Sequence, residues 1–371
     1  MTQICTRCKR TSETGNLWCE EIDCPAGTLA PLMHYGDHLG NLLITRLVRN
    51  LRTAAIYECQ RDKKPLLIKV SHPGFENYLD TEAEVLFRAQ AIKNPALPVW
   101  VPHDTESRPA TFGIASTHGQ LYHFILLEHA RGDILADSLL NNPEPWHKDA
   151  GWFVLSLCHA LVDLRANSQN GLHMNLSPES IMVVPNKSGV MQPLLLDFGF
   201  QMPTGTRPST DVLRCLVPAY TPPELLRNEP VTEASDVYEV GLIYYEMLAG
   251  RPAFNLDFRR DADVRSAIRD RRKAFSPNRG DLPGAVSIAP PTQNAPPKTL
   301  PPKVADIVSA ATDPVANKRF SELRAMITAL LVVYGPVPNK QRISPKQMSI
   351  IGISLFVVVI VVIVMLLLAV R

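Results

Sequence analysis

The sequence predicts an α+β protein of two lobes, with a small cysteine-rich module before them and one apolar helix after them. Strand-like apolar runs crowd residues 41–70 and 111–127, whereas helical spacing takes over from residue 152 onward. Four of the seven cysteines fall within the first 24 residues, and Ile350 to Val370 is 21 residues without a charge. A chain of 371 residues with 46% hydrophobic content suits one globular unit of ~250–300 residues plus appendages, which excludes a small disulfide scaffold. Its 38 Lys+Arg against 36 Asp+Glu leave a net charge of +2, so no overall field holds a phosphate polymer.

The cysteines are spaced Cys5-x2-Cys8-x10-Cys19-x4-Cys24. In a reducing compartment, thiols paired at short spacing point to a tetrahedral zinc site, because each close pair aims two thiolates at one ion. Residues 1–30 therefore read as a zinc-ribbon-like module with Cys5, Cys8, Cys19 and Cys24 as ligands to structural Zn. Arg7, Lys9 and Arg10 are opposed there by Glu13, Glu20, Glu21 and Asp23. That balance argues against nucleic acid as a partner and for a folding or protein-contact role.

Next come three strands, Leu42-Leu43-Ile44, Ala54-Ala55-Ile56-Tyr57 and Leu66-Leu67-Ile68-Lys69-Val70, with polar turns between them. Leu79, Ala83, Leu86, Phe87 and Ala91 recur at helical spacing over Asn77–Ala91. Strands near 111–127 precede helices at Trp152–Arg165 and Asp236–Leu248, with a turn at Asn186-Lys187-Ser188-Gly189. The basic run from Arg259 to Lys273 is interrupted by Asp261, Asp263 and Asp270 and reads as a solvated face. Pro277 to Pro302 holds eight prolines, too many for a helix, so 275–302 is expected to be an irregular insertion. Helical patterns at Val304–Ala311 and Ser321–Val333 lead into a linker over 335–348.

As a helix, Ile350–Val370 spans ~31 Å, about the thickness of a bilayer's hydrocarbon core. Lys340, Arg342 and Lys346 precede it and no signal peptide opens the chain. The expectation is a single-pass membrane tail anchor over 349–371, with everything before it in the cytoplasm.

Several strings then matter by their order. Asp197-Phe198-Gly199 follows Pro193-Leu194-Leu195-Leu196, and His173-Met174-Asn175-Leu176-Ser177-Pro178-Glu179-Ser180 stands before it. Val217-Pro218-Ala219-Tyr220-Thr221-Pro222-Pro223-Glu224 and Ser235-Asp236-Val237-Tyr238 come after, and Leu67-Ile68-Lys69-Val70 comes well before. In this order they resemble the protein kinase family, most closely its bacterial serine/threonine type, over about residues 37–334. The resemblance implies a two-lobed kinase-like fold with an N-lobe over 37–130 and a C-lobe over 131–334. It implies that Lys69 pairs ATP phosphates and Glu82, with Glu84 as second choice, and that Asp197 carries Mg²⁺. It places Glu128 and Ala130 in the nucleotide-contacting hinge, Leu127 at the gatekeeper position, and Arg319 opposite Glu224. His173 takes a structural role under the metal turn.

Departures from the family pattern are concentrated at the chemistry. Asn175 stands where the catalytic aspartate belongs, and its neutral amide cannot take a substrate proton; loss of a general base costs ~10²–10⁴ in rate. Ser177 replaces a lysine, and Ser180 replaces a metal-holding asparagine, though its hydroxyl remains an oxygen donor. No glycine occurs between Gly40 and Gly74, so Val48 to Ala54 would put side chains where backbone should approach the phosphates. The resulting expectation is a membrane-tethered pseudokinase that binds protein partners in a signalling or scaffolding role. An atypical serine/threonine kinase binding ATP through Lys69 and Asp197 is the alternative, and a zinc-module nucleic-acid sensor is the second.

Overall fold

The computed structural model describes residues 2–21, 24, 27–103, 111–141, 147–167, 171–254 and 301–338. The basic run 259–273, the proline-rich stretch up to residue 300, most of the linker and the apolar segment 349–371 lie outside the described residues. No helix among the described residues is long and apolar enough to cross a membrane.

The N-terminal segment forms its own sheet. β1 (Gln3–Cys5) lies between β2 (Thr11–Ser12) and β3 (Leu29–Pro31), all antiparallel. With so few residues, its apolar interior is little more than Cys5, Cys19 and Leu29.

Period-two alternation builds the first lobe. β4 (His38–Leu39), β5 (Leu42–Asn50), β6 (Ala54–Arg61), β7 (Lys64–Ser71), β8 (Trp100–Val101), β9 (Gly113–Thr117) and β10 (Gln120–Glu128) form one antiparallel sheet. Its order is β4-β5-β6-β7-β10-β8, with β9 paired to β10. Leu66, Ile68 and Val70 of β7 join Tyr122, Phe124 and Leu126 of β10 in an outer apolar cluster. Leu67, Ile125 and Leu127 face the opposite way, into the main core. Alternation then puts Lys69 on the inner face with Leu67. Helix α1 (Glu76–Ala89) covers that face with Leu79, Ala83 and Leu86.

The second lobe is helical. β11 (Asp133–Ile134) leads to α2 (Leu135–Asn141) and α3 (His147–Asn167). Helix α3 starts five residues before its expected boundary, and Gly151 lies in that extra turn. A Cβ there would sit 2.2 Å from the Tyr334 ring, so the close helix crossing needs glycine. β12 (Gly171–Leu172), β13 (Ile181–Pro185), β14 (Met191–Leu195) and β15 (Met202–Pro203) frame the segment between the lobes. The Asn186 turn closes with Gly189 at φ +78°.

After α4 (Thr210–Cys215) and α5 (Pro223–Leu226) comes α6 (Glu233–Ala249), buried on every side. Thr232 and Ser235 cap its start reciprocally, and Gly250 in the left-handed region ends it. α7 (Pro302–Ala311) and α8 (Leu323–Tyr334) complete the lobe. The expected irregular insertion is corrected at its end, because Pro302 stands in the first turn of α7, where a missing N–H breaks no helical bond. α4 was not expected; Ser209 starts it by accepting from the Val212 N–H.

Candidate functional site

Between the lobes, Lys69 from β7 meets Glu82 from α1 and Asp197 from the turn after β14. Lys69 Nζ donates to Glu82 Oε1 at 2.7 Å and Oε2 at 2.6 Å, and to Asp197 Oδ1 at 2.7 Å. All three side chains are buried. Glu84 instead faces solvent and pairs with Arg88. Burial works to raise the Asp197 carboxyl, but the Lys69 ammonium outweighs it and holds the group below the usual carboxylate range. Glu82 goes the other way: burial pushes it up to about 7 against the pull of Lys69. Burial also acts to lower Lys69, and the two carboxylates overcome it and keep the amine charged.

The loop from His173 to Ser180 is pinned from below by α6. Asp236 accepts the His173 and Met174 N–H groups, and Glu239 accepts that of Leu176. His173 Nε2 donates to the Asp197 carbonyl over 2.8 Å, so this ring supports the turn. Asn175 Nδ2 donates to Asp197 Oδ2 over 3.2 Å, which engages both carboxylate oxygens of Asp197 with cationic or neutral donors. Asn175 Oδ1 is buried with no hydrogen-bond partner among the described residues. Ser177 and Ser180 are both buried. Ser180 Oγ donates to the Ser177 carbonyl over 2.9 Å and accepts the Ser177 N–H, closing a single 3₁₀ turn. The Ser180 hydroxyl expected as an oxygen ligand thus makes both of these bonds inside its own loop. Met174 stands where the family motif has arginine; it is fully buried in an apolar cluster with Leu172, Met202, Leu216 and Leu225.

The β5–β6 hairpin roofs the site. Leu51 is buried in the main core, and its N–H donates to the Ala54 carbonyl over 2.8 Å. His72, driven by burial down to about 4, lies 3.1 Å from the Leu51 carbonyl. A small pocket lies beside Thr53, Glu82, Asn175 and Asp197. From this hairpin, Thr53 and Ala54 reach it. At the other end, Leu127 pairs with Leu67 and is buried. Glu128 turns its side chain to solvent while its N–H donates to the Val99 carbonyl, and Ala130 packs half-buried against the core.

The cysteine module gathers Cys5, Cys8, Cys19 and Cys24 with all four sulfurs within 4.8 Å of one another. Cys5 and Cys24 are 3.6 Å apart, and Cys8 and Cys19 are 3.7 Å apart. A zinc tetrahedron with ~2.3 Å bonds has edges of about 3.8 Å, so the set fits zinc. Burial pushes the Cys5 thiol up, but the Cys8 and Arg7 N–H groups aimed at its sulfur outweigh it and lower the thiol overall. Gly27 closes against the cluster, and a Cβ there would lie 2.6 Å from Cys5 Sγ.

Nothing in the residue pattern signals the contacts of this module with both lobes. Lys9, at φ +63° just after the Cys5–Cys8 turn, donates through Nζ to the Asn50 carbonyl and lies 3.5 Å from Glu179. Arg7 donates to the Arg214 carbonyl over 3.4 Å. Farther down, Arg319 grips Glu224 with two nitrogens at 2.8 and 2.9 Å and stacks on Tyr238.

Comparison with known proteins adds a family. A family model described as "Protein kinase domain" matches residues 110–331. The serine/threonine-protein kinase DCLK3 of Homo sapiens is 32% identical over 58% of this chain and 29% of its own length. PknA of Corynebacterium glutamicum is 28% identical over 52% of this chain and 39% of its own, and drp72 of Corynebacterium efficiens 32% identical over 39% and 27%. The chain thus spans well under half the length of these curated relatives.

Proposed function

The chain belongs to the protein kinase family, and from that premise we propose that it is a pseudokinase, a kinase fold that works by binding proteins. One observation carries this reading: at the position of the catalytic base, an asparagine amide is hydrogen-bonded to the metal-turn aspartate. The neutral amide is far too weak a base to take a substrate proton, and its Nδ2 competes for the oxygen that a metal would take. Lys69, Glu82 and Asp197 suit one Mg²⁺ and a phosphate. Toward a second metal the loop offers only the Ser180 hydroxyl, already bonded within its own turn, and residue 175 offers phosphotransfer no base.

The four thiolates suit structural zinc, which would replace the missing apolar core of a module this small. Protein partners, a membrane tether through Ile350–Val370 and a cytoplasmic location for the bulk of the chain belong to the same proposal. The tether and the location rest on the length and lack of charge of that segment and on the basic residues before it.

The intact Lys69–Glu82 pair favours one second reading, an atypical serine/threonine kinase. Thermal melting of the full chain with ATP, with and without Mg²⁺, separates the two, together with transfer of labelled phosphate. The pseudokinase reading expects neither a Mg²⁺-dependent rise in Tm nor transfer. A Mg²⁺-dependent rise lost in Asp197→Ala, with transfer lost in Lys69→Met, overturns it.

A further inference from the structure

Three parts of the chain that are distant in sequence meet at one carboxylate oxygen. Glu179 stands in the 3₁₀ turn that ends the His173–Ser180 loop of the second lobe. Its Oε2 lies 3.5 Å from Lys9 Nζ of the cysteine module and 3.4 Å from Arg49 Nε of β5. Lys9 Nζ also donates to the Asn50 carbonyl at the end of β5. One side chain of the module therefore holds both the hairpin over the Lys69–Asp197 site and the loop beneath it. Arg49 adds a second bridge from the hairpin, reaching Glu179 and, at 3.2 Å, Asp137 of α2.

The hairpin needs such a hold. Asn50 is 3% exposed, and neither its Oδ1 nor its Nδ2 has a hydrogen-bond partner among the described residues. A buried amide without partners favours any arrangement that returns it to water. The adjoining peptide group opposes that: its carbonyl accepts Lys9, and its N–H, on Leu51, donates to the Ala54 carbonyl over 2.8 Å. Closure of this end of the hairpin is thus a balance between an unfavourable side chain and a bond supplied by the module.

Lys9 itself is placed by the cysteine knuckle. Its N–H donates to the Cys5 carbonyl over 3.1 Å, and the Cys5 N–H donates to the Arg10 carbonyl over 2.9 Å. The turn so closed carries Cys5 and Cys8 and sets Lys9 at φ +63°, a conformation that a residue with a Cβ keeps only where its surroundings impose it. An interior of little more than Cys5, Cys19 and Leu29 leaves metal binding as the means to impose it.

On the reading that the four thiolates hold zinc, we propose that the metal latches the two lobes together through Lys9, and that its loss frees the β5–β6 hairpin over the Lys69–Asp197 site. Coupling of this kind is reciprocal: hairpin closure tightens zinc binding by the same factor as zinc tightens closure. Glu179, which is no ligand to zinc, then contributes to zinc affinity through Lys9.

The test is competition between the full chain and a chromophoric zinc chelator, after atomic absorption has measured the metal that the chain carries. Lys9→Gln and Glu179→Gln are each expected to weaken zinc binding about fivefold or more, and the double variant no further than the weaker of the two. Arg88→Gln, whose pair with Glu84 lies on the exposed face of α1, is expected to leave it unchanged. Hydrogen exchange gives the second readout. Chelation of wild type is expected to speed exchange at the Leu51 N–H about tenfold or more while Val240, inside α6, keeps its protection. Zinc-loaded Lys9→Gln is expected to show the faster Leu51 rate before any chelator is added. A chain that carries no zinc overturns the zinc reading and the latch together. Zinc held equally tightly by wild type and Glu179→Gln, or Leu51 exchange that ignores chelation, overturns the latch alone.

Discussion

Putting a carboxylate back at residue 175 probes the cleft most directly. Asn175 Nδ2 donates to Asp197 Oδ2 over 3.2 Å, and Asn175→Asp exchanges that donor for a second anion. At an effective dielectric near ~20, two charges at that separation repel by about 5 kcal/mol. Taking up one proton is cheaper for the pair. Against an unfolded-state pKa of about 3.9, holding one carboxyl protonated costs about 4 kcal/mol at pH 7 and about 1.5 kcal/mol at pH 5. The folded pair binds more protons than the unfolded chain. The variant's stability relative to wild type therefore falls as pH rises above about 4, by about 1.4 kcal/mol per pH unit. Urea unfolding of both proteins, followed by circular dichroism from about pH 5 to about pH 7, measures the difference. Millimolar Mg²⁺ is expected to return part of the loss by neutralising the pair. A stability difference that is flat with pH, or a variant as stable as wild type at neutral pH, refutes the placement of Asn175 against Asp197.

Lys69→Met strands two buried carboxylates and is expected to cost about 3–5 kcal/mol in denaturant unfolding; a loss below about 1 kcal/mol would mean water reaches the pair. Burial lifts Glu82 from 4.5 to about 7, so the folded chain keeps a proton that the unfolded chain releases. Stability from this group declines as pH rises through that window, and Glu82→Gln is expected to remove the decline when melts are compared across it. Gly27→Ala drives a methyl into Cys5 Sγ and should lower zinc content, measured by atomic absorption, below that of wild type purified in parallel. Arg319→Ala leaves Glu224 buried without its partner and is expected to cost about 3–5 kcal/mol. Arg319→Lys should recover little of that, because one ammonium cannot reproduce the two-pronged contact, and near-complete recovery would deny the fork its role.

What was legible in the sequence was legible because local rules and packing agreed. Alternation in β7 puts Lys69 on the inner face, and helical spacing brings Glu82 to the buried side of α1, so their pairing follows from periodicity once the resemblance supplies the topology. The β5–β6 hairpin over the site was only half legible. The missing glycines were plain, but which side chain turns inward depends on register shifts in β5 between Ile44 and Arg46 and between Leu47 and Arg49. Such bulges reset the alternation that sequence reading counts on. Lys9 was illegible for another reason: cysteine spacing defines a knuckle without saying which surface meets the lobes. The turn that Ser180 closes was illegible too, because a hydroxyl offered to a metal and one bonded within its own turn have the same sequence.

These residues also explain why the cleft departs from its family unevenly. Removing Lys69 leaves two carboxylates without their cation where water does not reach, and removing Asp197 leaves Lys69 only a carboxyl that burial holds near 7, costs the fold bears whether or not a nucleotide ever binds. The intact triad is therefore as much a brace between β7, α1 and the Asp197 turn as a phosphate site. Asn175, Ser177 and Ser180 face no such penalty. Each is neutral; the Asn175 amide finds Asp197, and the Ser180 hydroxyl closes its turn on Ser177. A carboxylate at residue 175 beside Asp197 would instead repel it unless a cation or proton intervened. Physical chemistry alone thus lets the base position and the second metal position change at little cost to stability while it holds the charged triad in place.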